Sequence, residues 1–428
     1  MRILFVAHGY PPRQAAGTER HVQALVQAAV ARGHLVEVIA ADRDPARRQY
    51  AVRTDLLDGA RVHRIVQNVP TRPLAWGESD RSIDRAVGAI AAAFRPDVVH
   101  IHHIQFLSST LPFKSPVVVT LHDQWHWCAA GGLGLTQEGA VCPGPAPERC
   151  APCAAAWRPG PGWLTRVLAR TAGILGRVVP PQRLHAAWQA IPTRLRPRPE
   201  RGVGDEEGEQ QAVLRNRKML DLLHRAHTVV SPSQWLADRC EAVAGIRPIV
   251  VRHGVDKAWL ARSEASRHGV VFIGTVAAHK GPDRAVSAWR RACPEGRPPL
   301  RVHGPVQDVD LLQGHPAAGP LDHAGVRDAL DRAQVLVAPS QWPENAPLIV
   351  LEARARGCPV VATDIGGTRE ILQHGRDGRL VPPGDVAALS TAIRELLQSP
   401  PTPAAPPDWD TQADRLIELL RQAAAGAP

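Results

Sequence analysis

The sequence predicts an α/β protein with two doubly wound domains, each built on a parallel β-sheet. Short continuous runs of Val and Ile alternate with amphipathic helical segments, which is typical of parallel strands buried on both faces. This alternation occurs twice, before and after an interruption that is rich in Pro, Gly and Arg. The length of 428 residues also suits two ordinary domains.

The predicted first domain spans residues 1–245 and includes a Cys-, Pro- and Arg-rich insert over about 128–210. Its first helix, over Thr18–Arg32, has its apolar residues on one face and stops at Gly33. The predicted strands of this domain are Ile3–Ala7, Leu35–Ala40, Val62–Val66, Asp97–His102, Val117–Leu121 and Thr228–Val230. Its other predicted helices are Ser82–Phe94 and Gln211–Arg225.

The predicted second domain spans residues 246–405 and repeats the alternation. Its predicted strands are Ile249–Val251, Val270–Ile273, Leu300–Val302, Val335–Ala338 and Val360–Ala362. Its predicted helices are Asp283–Ala292, Ala324–Arg332, Pro347–Arg356, Thr368–Gln373 and Val386–Leu397. A proline-rich connection then leads to a final helix, Asp410–Ala423, within residues 406–428. We expect this last segment to pack back on the first domain.

The net charge of +10 is concentrated in one segment, which argues against a nucleic-acid-binding protein. Residues 157–201 contain nine arginines and one glutamate, so the rest of the chain is close to neutral. A local basic patch suits an anionic membrane surface or an anionic acceptor. The stretch Trp163–Val179 predicts either a helix that lies on a membrane or a solvated insert.

The sequence predicts a cytoplasmic protein without a transmembrane helix. No run of about 18 apolar residues occurs in it. The first apolar stretch, Ile3–Ala7, has the pattern of a strand rather than of a signal peptide. Disulfides between the seven cysteines are therefore not expected. A peripheral position on the cytoplasmic membrane face, through segment 157–201, is compatible with this location.

The strongest candidate site lies where a strand, a loop and a helix start follow one another over Ala338–Ala353. Free amides at the start of a helix near Pro347 would point into the crevice at the strand ends and could receive a diphosphate. Glu352 could take both hydroxyls of a ribose, and Glu344 could reach sugar hydroxyls or stabilise positive charge at an anomeric carbon. The alternative is that both carboxylates lie on an ordinary surface loop. The candidate donor-binding residues are Asn345, Ala346, Pro347, Leu348 and Glu352.

The spacing Glu344-x7-Glu352, followed by Gly357–Glu370, resembles the signature of the retaining family-four (group 1) glycosyltransferases. Further matches are Ser231–Ser233, Arg252–Asp256, Phe272–Gly274, His279–Gly281 and Gly378–Asp385. The resemblance covers both domains and weakens only over about 155–210. It implies the GT-B fold, in which two Rossmann-like domains face each other across a cleft. It also implies transfer of a sugar from a nucleoside-diphosphate sugar to a hydroxyl acceptor.

The resemblance assigns roles at the matching positions of the second domain. Glu352 resembles the ribose-binding Glu, Glu344 the Glu near the donor sugar, and Lys280 the Lys that contacts the diphosphate. Thr275 departs from the family, which often has Arg there, so this phosphate contact is missing or is supplied by another residue. The two residues that could supply this phosphate contact instead are Arg252 and His279. No strong protein base is required, because the departing phosphate itself can take the acceptor proton. No catalytic metal is expected either.

Two segments of the first domain also match. The resemblance places His122, within Thr120–Asp123, against the donor sugar and assigns His122 and Asp123 to catalysis together with Glu344. A structural polar pair at a strand end is the alternative. The loop before the first helix resembles the family's Gly-rich first loop, and Gly17, as a donor-binding candidate, would let the backbone approach a phosphate or an acceptor closely. An ordinary loop capped by Thr18 is equally compatible with the pattern.

Four cysteines of the insert predict either a structural zinc knuckle or four reduced, unliganded thiols. They are Cys128, Cys142, Cys150 and Cys153. A zinc ion there would order acceptor-side loops and take no part in the chemistry. The remaining cysteines, predicted to fill the core, are Cys240, Cys293 and Cys358.

Other functions on the same fold stay open at this stage. A sugar-nucleotide epimerase would release an altered sugar nucleotide without an acceptor, and a phosphorylase is a further enzymatic alternative. A non-catalytic nucleotide-sugar-binding or scaffold protein would bind nucleotide without turnover. A nicotinamide-dependent oxidoreductase fits less well, because no G-x-G-x-x-G follows the first strand. By analogy alone, we expect a surface-polysaccharide or lipid-linked glycan acceptor.

Overall fold

The computed structural model of the chain describes residues 1–44, 47–68, 80–155, 206–261 and 265–426. The chain divides into two compact units. Unit 1 consists of Met1–Val230, Cys240–Ile249 and Ile417–Pro428, and unit 2 of Ser231–Arg239 and Val250–Leu416. The basic segment 157–201 and its predicted helix, Trp163–Val179, lie outside the described residues.

Within the described residues, the first sheet has eight strands in the order β3-β4-β2-β1-β5-β6-β7-β8. They are β1 Arg2–Ala7, β2 Leu35–Asp42, β3 Val52–Leu57, β4 Ala60–Val66, β5 Val98–Ile101, β6 Val117–Thr120, β7 Thr228–Ser231 and β8 Ile249–Val250. Strand β1 lies parallel to both β2 and β5, as the continuous apolar runs predicted. Strand β8 corrects the prediction that placed Ile249–Val251 in the second domain's sheet.

Strand β3 corrects the prediction of a purely parallel sheet, since it pairs with β4 antiparallel. Asp58 and Gly59 connect the two strands, and both have positive φ angles, of 54° and 75°. A two-residue turn of this kind can join only antiparallel neighbours, because a parallel pair needs a long crossover. The alternating exposure of β3 also differs from the buried runs on which the sequence prediction relied.

The helices of the first part of the chain are α1 Gly17–Ala31, α2 Arg81–Phe94, α3 Pro147–Ala155 and α4 Glu206–His224. Ala16, rather than Thr18, is the N-cap residue of α1, and no described side chain caps this end. The interpretation of Thr18 as a cap is therefore wrong. Helix α3 was not predicted, and α4 begins before Gln211.

The described residues of unit 2 form a five-stranded sheet in the order β10-β9-β11-β12-β13. Its strands are β9 Val270–Ile273, β10 Leu300–His303, β11 Val335–Ala338, β12 Val360–Thr363 and β13 Gly378–Val381, and all of their pairings are parallel. The remaining helices are α5 Gln234–Ala244, α6 Lys257–Leu260, α7 Pro282–Ala292, α8 His323–Arg332, α9 Leu348–Ala355, α10 Thr368–Ile371, α11 Val386–Gln398 and α12 Trp409–Ala424. Helices α5 and α12 contribute residues to both units.

Two hydrophobic clusters cover the two faces of the unit 2 sheet. Val270 and Phe272 of β9 belong to the cluster that includes buried residues of α7 and α11. Val271, between them, belongs to the other cluster, which includes residues of α8 and α9. Successive strand residues point to opposite faces, so a strand buried on both sides is apolar throughout. The predicted doubly wound α/β architecture is confirmed here.

Candidate functional site

Three loops meet at the carboxyl edge of the unit 2 sheet. They follow β9, β11 and β12, which are direct neighbours in the sheet. Parallel strands end at the same edge, where doubly wound sheets bind their ligands. The loop after β9 carries Lys280, the loop after β11 carries Glu344, and the loop after β12 carries Gly366 and Gly367.

Lys280 and Glu344 form an ion pair between the first two of these loops. The Lys280 ammonium donates a hydrogen bond of 2.6 Å to Glu344 Oε1, and the Ser340 hydroxyl donates another of 2.8 Å. Burial by itself raises the pKa of Glu344. The charge and hydrogen bond of Lys280, together with the hydrogen bond from Ser340, outweigh burial and lower that pKa below its usual value. Glu344 is therefore a buried, ionised carboxylate near neutral pH.

Trp342 completes the surroundings of the Lys280 ammonium. The ammonium lies 4.9 Å from the centre of the Trp342 ring, within the range of a cation–π contact. His279 packs edge-on against the same ring, with the ring centres 5.5 Å apart. The Lys280 side chain keeps 29% of its surface accessible, so it can contact a ligand while it holds Glu344. The sequence analysis did not single out Trp342 or Ser340.

Glycines bring the three loops into direct backbone contact. The amide of Gly367 donates a 2.7 Å hydrogen bond to the carbonyl of Glu344. A Cβ atom on Gly367 would lie 2.0 Å from the Asn345 carbonyl oxygen, and one on Gly281 would lie 2.2 Å from the Pro339 carbonyl oxygen. Real Cβ atoms do not approach backbone this closely. Only glycine at these positions lets the loops hold Glu344 and Lys280 in place.

Helix α9 begins beside Glu344. Pro347 is its N-cap residue, Leu348 its first residue, and no described side chain caps its first turn. The helix dipole and the first-turn amides give such an end a positive potential. Asn345 is buried immediately before this start, and Glu352 is half-buried within the helix. The predicted donor-binding residues of unit 2 thus lie on one edge of its sheet.

His279 and Arg252, the two residues predicted to supply the phosphate contact that Thr275 lacks, have different surroundings. His279 lies next to Lys280 and packs on Trp342. Arg252 instead forms a 3.0 Å ion pair with Glu370. Glu370 also accepts hydrogen bonds from two backbone amides at the start of α5. His279 is therefore the better placed of the two for a contact at the Glu344 loop.

In unit 1, His122 and Asp123 follow β6 and lie among further histidines. His122 Nε2 is 3.0 Å from His102 Nδ1. Asp123 accepts a 2.7 Å hydrogen bond from the amide of Trp125, and its other oxygen lies 3.6 Å from His103 Nε2. Burial alone would raise the pKa of Asp123. The interaction with His103 and the hydrogen bond from the Trp125 amide outweigh burial, so the pKa lies below its usual value. The sequence analysis missed His102 and His103, although they follow β5 directly.

The first loop of unit 1 is held by the side chain of Arg64, which is buried in β4. Its guanidinium donates hydrogen bonds of 3.0 and 2.9 Å to the carbonyls of Tyr10 and Pro11. The Tyr10 hydroxyl donates a 2.8 Å hydrogen bond to Asp58 at the β3–β4 turn. Gly17 is the first residue of α1, so it lies at the end of this fixed loop. Its proposed approach to a donor stays a prediction.

The four cysteines of the insert lie near one another around α3. Burial raises the pKa of Cys153 to about 12, with added repulsion from the other three thiols. Cys128 Sγ accepts a 3.3 Å hydrogen bond from the Gly134 amide. The buried guanidinium of Arg215 interacts electrostatically with Cys128 and Cys150, which would offset thiolate charge. The zinc site stays a prediction.

None of the seven cysteines, all of which lie in described residues, forms a disulfide bond. The three that were predicted to fill the core are buried, namely Cys240, Cys293 and Cys358. Among the described residues, the group whose metal-binding atoms converge to within 4.8 Å is not made of cysteines. It consists of His21, His102 and His122.

Comparison with known proteins gives matches in both halves of the chain. Residues 267–399 match the model described as "Glycosyl transferases group 1", and residues 15–181 match "Glycosyltransferase Family 4". A glycogen synthase of Mycobacterium tuberculosis is 24% identical over 440 residues, which is 94% of this chain and 87% of that protein. An exopolysaccharide phosphotransferase of Streptomyces coelicolor is 32% identical over 176 residues. That match spans 38% of this chain and only 18% of the phosphotransferase.

A solved structure shares the fold over nearly the whole length. The Anabaena protein HepE, in complex with UDP and glucose, superposes with a TM-score of 0.60 at 17% identity. The superposition covers 99% of this chain and 100% of HepE. At this identity the likeness establishes the fold and leaves the ligand a property of HepE.

Proposed function

The chain belongs to the family-four, group 1 glycosyltransferases with the GT-B fold, and we propose that it is a retaining enzyme that uses a nucleoside-diphosphate sugar. In the proposed reaction, a sugar moves from the diphosphate to a hydroxyl group of an acceptor. The observation that carries this proposal is the Lys280–Glu344 ion pair beside the start of α9. It combines a cation, a buried carboxylate and a helix N-terminus at one sheet edge.

These three features suit the parts of a nucleotide-sugar donor. The first turn of α9 and the Lys280 ammonium can both receive a diphosphate, since both carry positive potential. Glu352, further along the helix, would accept hydrogen bonds from the ribose hydroxyls. The predicted donor-binding residues are supported here by their common location, with Asn345 and Ala346 in the loop and Pro347 and Leu348 at the helix start.

The charges also suit a dissociative transfer. As the nucleoside diphosphate leaves, negative charge grows on the phosphate and positive charge on the anomeric carbon. Lys280 would neutralise the first, and the ionised Glu344 would stabilise the second. The leaving phosphate would accept the proton of the attacking hydroxyl, which approaches from the same face and so retains the configuration. No strong protein base and no catalytic metal are needed in this scheme.

In unit 1 we propose that His122 and Asp123 contact the transferred sugar. The hydrogen bonds and ion pairs around both residues would fix their orientation before substrate binds. The loop that ends at Gly17, held by the buried Arg64, is proposed to approach the donor or acceptor. These assignments rest on the family resemblance, and the local order of both segments supports them.

For the acceptor we propose a surface polysaccharide or a lipid-linked glycan. A glycan acceptor is in keeping with the relatives of the chain, which include a glycogen synthase. No described helix has both the length and the apolar character needed to cross a membrane. A peripheral position on the cytoplasmic membrane face rests only on the charge of segment 157–201, which lies outside the described residues.

The first test is calorimetric titration of the purified protein with UDP, GDP, ADP and dTDP in turn. Selective binding of one nucleotide would support the donor site and name the nucleotide. Sugars carried by that nucleotide are then incubated with acceptor glycans, and NMR of the new linkage reports whether the anomeric configuration is kept. Failure of a folded sample to bind any nucleotide contradicts the proposal. Release of an altered sugar nucleotide without acceptor would favour an epimerase instead.

A further inference from the structure

Three imidazole rings converge at the carboxyl edge of the unit 1 sheet. They belong to His21, His102 and His122, and their metal-binding nitrogens all lie within 4.8 Å of one another. The ring centres are 5.6 Å apart for His21 and His102, 5.3 Å for His21 and His122, and 5.2 Å for His102 and His122. The three rings therefore form a nearly equilateral triangle.

We propose that His21, His102 and His122 form a binding site for one divalent transition-metal ion. A tetrahedral ion bound to imidazole nitrogen at about 2.0 Å has its ligand ring centres about 5 Å apart. The observed separations of 5.2–5.6 Å are close to that value. In the same geometry two ligand nitrogens lie roughly 3.3 Å apart. His102 Nδ1 and His122 Nε2 are 3.0 Å apart, so a small outward movement would admit the ion.

The fold holds all three rings near these positions. His102 and His122 follow the neighbouring parallel strands β5 and β6, whose pairing aligns Ile101 with Val119. The amide of His102 also donates a 2.8 Å hydrogen bond to Val6 on β1. His21 lies on the buried face of α1 and is 5% exposed. Ligands on rigid elements lose little conformational entropy when a metal binds.

The donor set selects the class of ion. Imidazole nitrogen favours Zn²⁺, Cu²⁺, Ni²⁺ and Co²⁺, whereas Mg²⁺ and Ca²⁺ require oxygen ligands. The triad contains no carboxylate, so the second group is disfavoured. Three protein ligands also leave one position of a tetrahedral ion open for water. The site is distinct from the four cysteines of the insert, which would bind zinc through sulfur.

The experiment uses Co²⁺ as the probe on metal-free protein of full length. Nitrogen-bound tetrahedral Co²⁺ gives visible d–d absorption without the near-ultraviolet charge-transfer band that thiolate ligands add. We therefore use the Cys150→Ser/Cys153→Ser variant as the background, which removes two of the four thiols. One equivalent of Co²⁺ is expected to give the visible bands alone. Metal binding is read directly, so the result does not depend on whether the proposed sugar transfer is correct.

Single variants His21→Gln and His102→Gln in this background are expected to weaken Co²⁺ binding by more than tenfold. The loss of an outer hydrogen bond to a metal ligand already costs about 10- to 100-fold in affinity, and loss of a ligand costs at least as much. The matched control is His224→Gln, a histidine of α4 whose ring contacts the Ala244 carbonyl. Its affinity for Co²⁺ should equal that of the background.

Absence of visible d–d bands in the folded background protein would overturn the proposal. Equal Co²⁺ affinity in the triad variants and the control would overturn it as well. If a triad variant does not fold, electron paramagnetic resonance of the unsubstituted protein with one equivalent of Cu²⁺ decides the matter. Nitrogen couplings from three imidazoles support the triad, and fewer than three contradict it.

Discussion

Lys280 and Glu344 belong to loops that follow two neighbouring parallel strands, and their side chains form an ion pair of 2.6 Å at the edge of the unit 2 sheet. The residues are 64 positions apart in the chain. Their pairing keeps a carboxylate ionised in a buried position beside a helix start. The proposed transfer reaction depends on this charge arrangement, and the first and third predictions test it.

Replacement of Glu344 by Ala should mainly reduce turnover. The carboxylate is proposed to stabilise charge that exists only in the transition state, so kcat should fall by about 10²- to 10³-fold while nucleotide affinity changes little. Initial rates and calorimetric titrations on the same preparation check this. The matched control is Glu395→Ala, because Glu395 forms an ion pair on an exposed face of α11. A rate equal to that of the wild type would contradict the role of Glu344.

Replacement of Glu352 by Ala should mainly weaken nucleotide binding. Loss of charged hydrogen bonds to the ribose should raise the Kd for the preferred nucleotide by about 10- to 100-fold. The measurement is calorimetric titration with that nucleotide and with its 2′-deoxy form. The variant should lose most of the difference between the two ligands. An unchanged Kd would reject the ribose assignment.

The Lys280–Glu344 pair should make stability depend on pH in one direction. The pKa of Glu344 is lowered in the folded protein from the ordinary value of 4.5, so its contribution is present above that value and is lost as the pH falls through the lowered pKa. The thermal midpoints of the wild type and Glu344→Gln are compared from about pH 7 down to about pH 3. The advantage of the wild type should shrink as the pH falls. A difference in thermal midpoint that grows as the pH falls would contradict an ionised Glu344 paired with Lys280.

Replacement of Gly367 by Ala should destabilise unit 2 and impair nucleotide binding. The added Cβ would lie 2.0 Å from the Asn345 carbonyl oxygen, so the loops must move apart at a cost of about 1–3 kcal/mol. Gly274→Ala is the control in the same unit, since its Cβ would meet only ordinary contacts of 3.5 Å and beyond. Unfolding by urea measures both variants. Equal free energies of unfolding for the two variants would mean that the loops accommodate the added Cβ at Gly367 without a measurable cost.

The cysteine cluster should bind one structural zinc ion through sulfur. Co²⁺ added to the metal-free protein is expected to give a thiolate charge-transfer band, and the Cys150→Ser/Cys153→Ser variant should lose that band. Titration of thiols in the isolated protein provides an independent reading. Four freely reactive thiols in the insert, with no charge-transfer band, would leave the cysteines as unliganded residues.

Much of the unit 2 site could be predicted from local sequence. Strands β9 and β11 have the predicted bounds, Val270–Ile273 and Val335–Ala338, because a strand buried on both faces is apolar throughout. The start of α9 was placed near Pro347, where a proline can occupy the first positions of a helix. Each of these signals lies within a few consecutive residues. The spacing of Glu344 and Glu352 followed from the same short stretch.

Other features could not be derived in this way. Strand β3 alternates in exposure and pairs antiparallel, and β8 lies at the edge of the eight-stranded sheet rather than in the five-stranded sheet. Two residues of strand carry too little pattern to indicate which sheet they join. Arg64, between His63 and Ile65 in β4, gave no sign that it would hold the carbonyls of the first loop.

The sequence by itself determined the α/β class, the family and the residues most suited to a donor nucleotide, because periodicity and motif spacing are local properties of the chain. Only the tertiary structure decided that Lys280 pairs with Glu344 and that Gly367 packs on the loop of Asn345. It also decided that the rings of His21, His102 and His122 lie close together at the edge of the first sheet. These contacts join segments that are distant in the chain. Strand order and register, which no single segment encodes, bring those segments together.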